Sequence, residues 1–303
     1  MAKVTLQKVK GQNYFCSGRL SIGVYVHDNS VTLIDSGIDK DTAKYVHQAL
    51  QESGYTVSAI INTHHHPDHC GGNSYFQKLY PALKIYASVF EKAFIEDERL
   101  GTICFCSGAR PFHDLQNKYL QQEPSVVTHL ITPYQDQVIT IEGSDFRVVT
   151  LPGHTFGHIG VITPDNVLYC GDAIFGHETF EKHGMLLYAD VAATYATFAK
   201  LRTLTLDACV FYHGGMIENI HATVDKHEAR IRATQGIIYA MIQQERCSLD
   251  TLTQKVMQRY AIPETVPQFT LTKTSVYAFV SQLQLEKKVT LAVEQGMLWV
   301  VAI

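Results

Sequence analysis

The amino-acid sequence predicts a layered α/β fold with a small, mostly helical module at its C-terminal end. Three observations carry this expectation. Short segments rich in β-branched residues recur between Ser21 and Tyr212, separated by helical or loop stretches, which is the pattern of stacked layers and not of a pure β-sandwich. The 303 residues suffice for one large core plus a smaller one. After about Thr223 the strand signals give way to a long helical stretch, two further helical patterns and a terminal strand pair.

Taken in order, residues 21–26 and 31–34 are strand segments joined by an Asp28-Asn29 turn, which predicts a hairpin. A helix is predicted over residues 39–53: acidic residues open it, Ala43, Val46 and Leu50 share one face, and Gly54 stands just past its end. Residues 57–62 read as a short buried strand, and further strands are expected at 83–87, 138–141, 146–151, 160–163, 167–170 and 208–212. The stretch 90–120 is less regular and mostly helical, with a turn at Gly108-Ala109-Arg110-Pro111; a lid over a site and a plain surface excursion fit it equally. A helix over 225–244, two more helical patterns after Ser248-Leu249-Asp250, and strands at 289–293 and 297–301 joined by Glu294-Gln295-Gly296 make a winged-helix-like unit. The expected division is residues 1–225 for the larger domain and 226–303 for the module.

Apolar residues make up 46% of the chain and charged residues 18%, which excludes a disordered protein. With 25 Lys+Arg against 29 Asp+Glu, the net charge of −4 offers no global attraction for nucleic acid or anionic lipid. The N-terminal segment has no apolar stretch of signal-peptide length, and no segment approaches the roughly 18 apolar residues of a membrane span, so a soluble, cytoplasmic protein without membrane partners is expected. The 7 Cys are scattered, and the close pair Cys104 and Cys106 lacks the two-residue spacing of zinc or redox pairs, which predicts reduced thiols. The 15 His are numerous for this length, and their clustering directs the search for chemistry.

The decisive run is Thr63-His64-His65-His66-Pro67-Asp68-His69-Cys70-Gly71-Gly72, immediately after the strand at 57–62. His64 and His66, two apart, can face one ion, while Asp68 and His69 come from the next turn and can reach a second. The side chain of His65 points away from those of its neighbours, which predicts a packing or supporting role. Three later strand ends each place one imidazole or carboxylate on a glycine-bearing turn: Pro152-Gly153-His154, Cys170-Gly171-Asp172 and Tyr212-His213-Gly214.

This set resembles the metallo-β-lactamase superfamily, which presents His-x-His-x-Asp-His, then a His, a bridging Asp and a last His at the strand ends of a four-layer αββα fold. The resemblance covers residues 15–220 and implies two divalent ions, zinc by preference, with iron and manganese compatible. His64, His66 and His154 would hold the first ion; Asp68, His69 and His213 the second; Asp172 would bridge them. Leu33-Ile34-Asp35-Ser36-Gly37 is similar to the superfamily's early strand motif, whose Asp supports the metal site, and His158 matches a position that orients the ligand loop. The complete ligand set places the chain nearer glyoxalase II, lactonases and related nucleases than true β-lactamases.

The implied activity is that of a binuclear hydrolase in which a hydroxide shared by the two metals attacks a small acyl substrate, a thioester, ester or lactone, with Asp68 as catalytic proton carrier. Two alternatives are weighed. A metal-dependent endonuclease or phosphodiesterase for single-stranded nucleic acid would use the terminal module as its grip. From Met241 to Ile303, however, six basic residues face five acidic ones, so nucleic acid is not the expected partner and packing or homodimer formation is. A mononuclear iron persulfide dioxygenase would use three of the ligands. For the substrate pocket, Phe175, His177, Phe180, His183 and Tyr188 either line it or pack their own loop.

Overall fold

The computed structural model describes residues 4–217 and 219–303. Strands β1 (Thr5–Lys10), β2 (Asn13–Ser17), β3 (Ile22–His27) and β4 (Ser30–Ile34) form an antiparallel meander. Helices then return the chain so that three parallel strands extend the same sheet: α1 (Lys40–Glu52) leads to β5 (Thr56–Ile61), α2 (Pro67–Cys70) and α3 (Asn73–Leu79) to β6 (Lys84–Ser88), and α4 (Val89–Glu96) and α5 (Leu100–Phe105) to β7 (His129–Ile131). The second sheet begins with β8 (Gln137–Ile141), β9 (Ser144–Thr150), β10 (Ile159–Ile162) and β11 (Val167–Tyr169). Past α6 (His177–Lys182) and α7 (Val191–Thr203), β12 (Ala208–Phe211) pairs parallel with β11, and β13 (Gly215–Ile217) closes the edge. Helix α8 (Ile220–Gln244) leads into β14 (Cys247–Ser248), α9 (Leu249–Arg259), α10 (Val266–Leu285), β15 (Val289–Glu294) and β16 (Met297–Ala302), whose three strands form a small sheet in the order β14-β16-β15.

Alternation along the strands decides the layering. On β5, Ala59 and Ile61 face the second sheet and meet Phe146, Val148, Val161 and Val210, while Ile60 faces outward with Leu33 and Ile85. That outer face is covered by Val46 and Leu50 of α1, Phe76 of α3 and Ile95 of α4. The second sheet is covered in turn by Phe198 and Leu201 of α7 and by Ile231 and Ile238 of α8. The result is helix, sheet, sheet, helix, as the resemblance implied. The core of the second outer layer runs without a break into Leu252, Val256, Val276, Phe279 and Val300, so the C-terminal elements pack their apolar faces within the chain.

Most predicted elements stand within a residue or two of their expected places. Asp39 caps α1 by accepting the Thr42 N–H at 2.9 Å, and Gly54 ends it at φ +80°. The C-terminal helix starts at Ile220, five residues earlier than its periodicity predicts, because Asn219 caps it by accepting from the backbone of His221 and Ala222. Strands β1, β2, β7, β13 and β14 and helices α2, α3, α6 and α7 were not foreseen. Of the stretch at 90–120, only α4, α5 and a short 3-10 turn at His113–Leu115 are regular.

Candidate metal centre

All the chemistry-bearing loops leave the carboxyl ends of strands, where the two sheets open. The loop after β5 is held by a buried polar lattice: Ser36 donates to Asn73 Oδ1 at 2.8 Å, Asn73 donates to Asn62 Oδ1 at 2.8 Å, and Asn62 donates to the His69 carbonyl at 3.3 Å. Pro67 opens α2 at the position where its missing N–H costs nothing. Gly71 must be glycine, since a Cβ there would lie 2.1 Å from the Ile38 carbonyl oxygen.

The structure brings all seven expected ligand positions together. His66 Nδ1 lies 3.0 Å from His64 Nε2 and 2.9 Å from His154 Nε2. His213 Nε2 lies 3.2 Å from an Asp68 oxygen. Asp172 stands between the two groups: one oxygen is 3.5 Å from His154 Nε2, and the other is 3.3 Å from His69 Nε2 and 3.5 Å from His213 Nε2.

The far side of each ring reveals which atoms carry lone pairs. Asp35 sits at the end of β4 in a left-handed conformation, φ +64°, and its carboxylate accepts from the Thr63 N–H and hydroxyl at 2.8 Å each and from His69 Nδ1 at 2.7 Å. The Thr63 hydroxyl, having given its proton to Asp35, accepts from His64 Nδ1 at 3.1 Å. His154 Nδ1 donates to the Leu187 carbonyl at 3.0 Å. The inward nitrogens of His64 and His154 are therefore lone-pair donors, and that of His69, its outer nitrogen already bonded to Asp35, offers its own lone pair wherever a metal displaces its proton. His69 Nε2 and Asp172 Oδ1 are buried without a hydrogen-bond partner. Such convergence is repulsive unless a cation lies among the atoms, and three overlapping trios converge there, His64 with His66 and His154, His64 with His69 and Asp172, and Asp68 with His69 and His213, a set of imidazoles and carboxylates that suits divalent ions.

Electrostatics agree. Burial and mutual repulsion push His64 and His66 well below the ordinary imidazole range, and burial lowers His154, so protons do not compete for these nitrogens. In the other half, burial opposes charge on His69 and His213, yet the surrounding carboxylates, Asp172 foremost, raise His69 well above its usual value and His213 to about 10. Asp172 is held well below the carboxylate range against burial by His213 and His69. Anionic oxygen is in excess here, which is the state a dication relieves.

Supporting residues emerge in the same geometry. His158 Nε2 accepts the Asp172 N–H at 3.0 Å and so holds the backbone of that loop. Gly171, at φ +51°, leaves room for it, since a Cβ would meet Thr63 Oγ1 at 2.7 Å and His158 Nε2 at 2.8 Å. His65 points away, stacks on Phe94 with ring centroids 4.2 Å apart, and bonds to Glu91. Glu91, which sequence reasoning missed, is fully buried; its second oxygen accepts from Thr155 Oγ1 and Gly157 N at 2.8 Å each and so ties the His64 loop to the His154 loop. The available signal was the Ser88-x-x-Glu91 spacing of a helix start at a strand end. Also missed were Tyr212, whose hydroxyl donates to the Asp68 carbonyl, and His227. His227 Nε2 accepts the Phe175 N–H at 3.0 Å, and the Phe175 ring stacks between His227 and His213. Phe180 and Tyr188 pack in the core and His177 and His183 face solvent, so the loop after Asp172 mostly packs itself.

Comparison with known proteins agrees with this architecture. Residues 19–213 match the family model described as the metallo-beta-lactamase superfamily. A hydroxyacylglutathione hydrolase of Synechococcus sp. is 28% identical over 181 residues, 57% of this chain and 57% of that protein. The matched region spans about half the length of the curated relatives it resembles. A beta-lactamase domain protein from Burkholderia ambifaria superposes with a TM-score of 0.76 at 16% identity, covering 98% of this chain and 93% of that one. A metallo-beta-lactamase family protein from Thermus thermophilus does so with a TM-score of 0.72 at 18% identity, covering 94% of each. The fold likeness thus extends through the C-terminal elements, and, with the family model matched over well over half its length, the chain belongs to the metallo-β-lactamase superfamily.

Proposed function

We propose that this chain is a binuclear metal-dependent hydrolase of an acyl substrate, a thioester, ester or lactone. The observation that carries the reading is the convergence of imidazole nitrogens and carboxylate oxygens into overlapping trios, with the Asp172 oxygens lying 3.3 Å from His69 Nε2 and 3.5 Å from His154 Nε2. His64, His66 and His154 would hold one ion, Asp68, His69 and His213 the other, and zinc fits this donor set, with iron and manganese compatible. Divalent ions bound there lower the pKa of water toward neutrality and stabilise charge developing on a carbonyl oxygen. Asp68, whose side chain is 29% exposed, would hold a proton and pass it to the leaving group. Asp35 orients His69, His158 holds the backbone of Asp172, and Glu91 locks the two ligand loops in register.

The matched relatives named as hydroxyacylglutathione hydrolases support an acyl substrate, and the near-neutral terminal module supports a small molecule over nucleic acid. Residues 226–303, with their helices and three-stranded sheet, read as a winged-helix-like unit whose apolar faces serve packing; no helix among the described residues is long and apolar enough to cross a membrane, and a cytoplasmic site of action fits the free cysteines. The test is elemental analysis of protein purified without chelator, alongside a panel of thioesters, lactones and single-stranded oligonucleotides. About two equivalents of metal and acyl cleavage are expected. One iron per chain, unchanged on zinc addition, would overturn the binuclear assignment in favour of a dioxygenase, and oligonucleotide cleavage alone would establish the nuclease.

A further inference from the structure

We propose that His227, two turns into α8 and outside the ligand set, is a positioning residue: it holds Phe175, and Phe175 holds the His213 ring in the direction that the second ion needs. This rests on the binuclear reading above. The need arises at His213 itself. Thr63, Asp35 and the Leu187 carbonyl hold the rings of His64, His69 and His154 from behind, each through a hydrogen bond to Nδ1. Among the described residues no hydrogen bond holds Nδ1 of His213, and its Nε2 faces the Asp68 and Asp172 carboxylates. An imidazole on a loop without such a bond is free to turn about its side-chain torsions unless packing stops it.

Packing comes from residues 175 and 176. The buried Phe175 ring stacks on His213 with centroids 5.8 Å apart and planes 25° apart. The same ring meets His154 at 5.9 Å with planes 72° apart, so it adjoins a candidate ligand of each ion. The next residue grips the backbone: the Gly176 N–H donates to the His213 carbonyl at 2.8 Å. A Cβ on Gly176 would lie 2.5 Å from Gly214 Cα, an approach that a larger residue would block. Residues 175–176 thus form the seat of His213, and a seat orients its occupant only where it is itself fixed.

His227 fixes it. Its Nδ1 donates to the Thr223 carbonyl, one turn earlier, at 2.9 Å, which sets the tautomer. The lone pair this leaves on Nε2 accepts the Phe175 N–H at 3.0 Å. The imidazole is clamped in turn: its ring centroid lies 4.3 Å from that of Phe180 and 6.3 Å from that of Phe198, and it stacks on Phe175 at 6.3 Å with planes 13° apart. Burial keeps it neutral, with a pKa of about 4, so the acceptor persists through the neutral pH range. A leucine would fill this apolar site without the cost of burying two polar nitrogens. What histidine adds is the acceptor.

The test is a zinc titration in competition with a chromophoric chelator, which reads the two equivalents separately, beside proton–carbon NMR of the His213 ring in metal-free protein. His227→Leu removes the acceptor and keeps the apolar volume. It should weaken the second equivalent about 10–100-fold, leave the first within about twofold, and relieve the ring-current shift that Phe175 imposes on His213. Phe175→Leu, which removes the ring and keeps the N–H, should reproduce the loss at the second equivalent. His227→Gln, whose amide oxygen can accept the same N–H, should bring both readouts most of the way back. Ile238→Ala, a cavity in the same core about three turns further along α8, should lower stability and leave both readouts in place. Wild-type affinity for the second equivalent in His227→Leu, or an equal loss in Ile238→Ala, overturns the proposal and leaves the binuclear reading intact. If wild type itself takes up one equivalent and the His213 resonances still move in His227→Leu, the positioning role stands and the binuclear reading falls; if they do not move, both fall.

Discussion

At the residue scale, the ligand atoms owe their direction to partners behind them, and the most remote of these is His227. Its Nε2 must stay unprotonated to accept the Phe175 N–H, and burial pushes its imidazole down to about 4. An unfolded chain protonates the same ring near its ordinary value of about 6.5, so between these limits the unfolded state binds more protons than the folded one. Stability from this group is present above pH about 6.5 and is lost as pH falls toward 4, up to about 3 kcal/mol in all. In urea unfolding with metal removed, His227→Gln should therefore lose less stability than wild type between pH 7 and 4.5. Identical pH dependence in the two proteins would show that the ring is not held neutral. Nothing in the surrounding Lys226-His227-Glu228 marks this histidine as different from a solvent-facing one; its burial against Phe180 and Phe198 does.

At the scale of elements, visibility in the sequence tracked how much of the buried face is hydrocarbon. Helix α9 was legible because Leu249, Leu252 and Val256 repeat at helical spacing and are all buried. Helix α7 was not, because its inward stripe includes Thr194 and Thr197, whose hydroxyls are satisfied by the Asp190 and Pro152 carbonyls at 2.7 and 2.6 Å. Strand β1 escaped notice because it is an edge strand with mostly exposed side chains, and β7 and β13 because each is only three residues long. Helix α10 reaches the metal centre through Ser275, which accepts the Tyr188 N–H at 3.1 Å and donates to the Leu186 carbonyl at 3.3 Å, flanking the Leu187 carbonyl that orients His154. Phe279→Ala, in the buried face of that helix, should cost about 3–5 kcal/mol in denaturant unfolding, as a cavity in a shared core does. A loss under 1 kcal/mol would mean that the module packs loosely and independently of the second sheet.

For the whole molecule, a net charge of −4 works against polyanions. Fluorescence anisotropy with labelled single-stranded RNA in about 150 mM salt should show no sub-micromolar binding, because few phosphates could be neutralised. Sub-micromolar binding that disappears with residues 247–303 would instead assign the module to nucleic acid.

The sequence by itself determined the layered class and marked out the candidate ligand set. A strand that ends in His-x-His-x-Asp-His has one economical use, and alternating apolar strands must bury two faces. His64 and His66 could be marked as candidates from the run they share, whereas Asp172, one carboxylate on a glycine-bearing turn, entered only through the resemblance of the whole set. Tertiary structure alone decided which ring nitrogen faces inward, since that depends on Asp35, Thr63 and the Leu187 carbonyl, distant in sequence from the rings they orient. It alone showed Glu91 bridging two ligand loops, because a buried carboxylate is recognisable only by the donors that surround it.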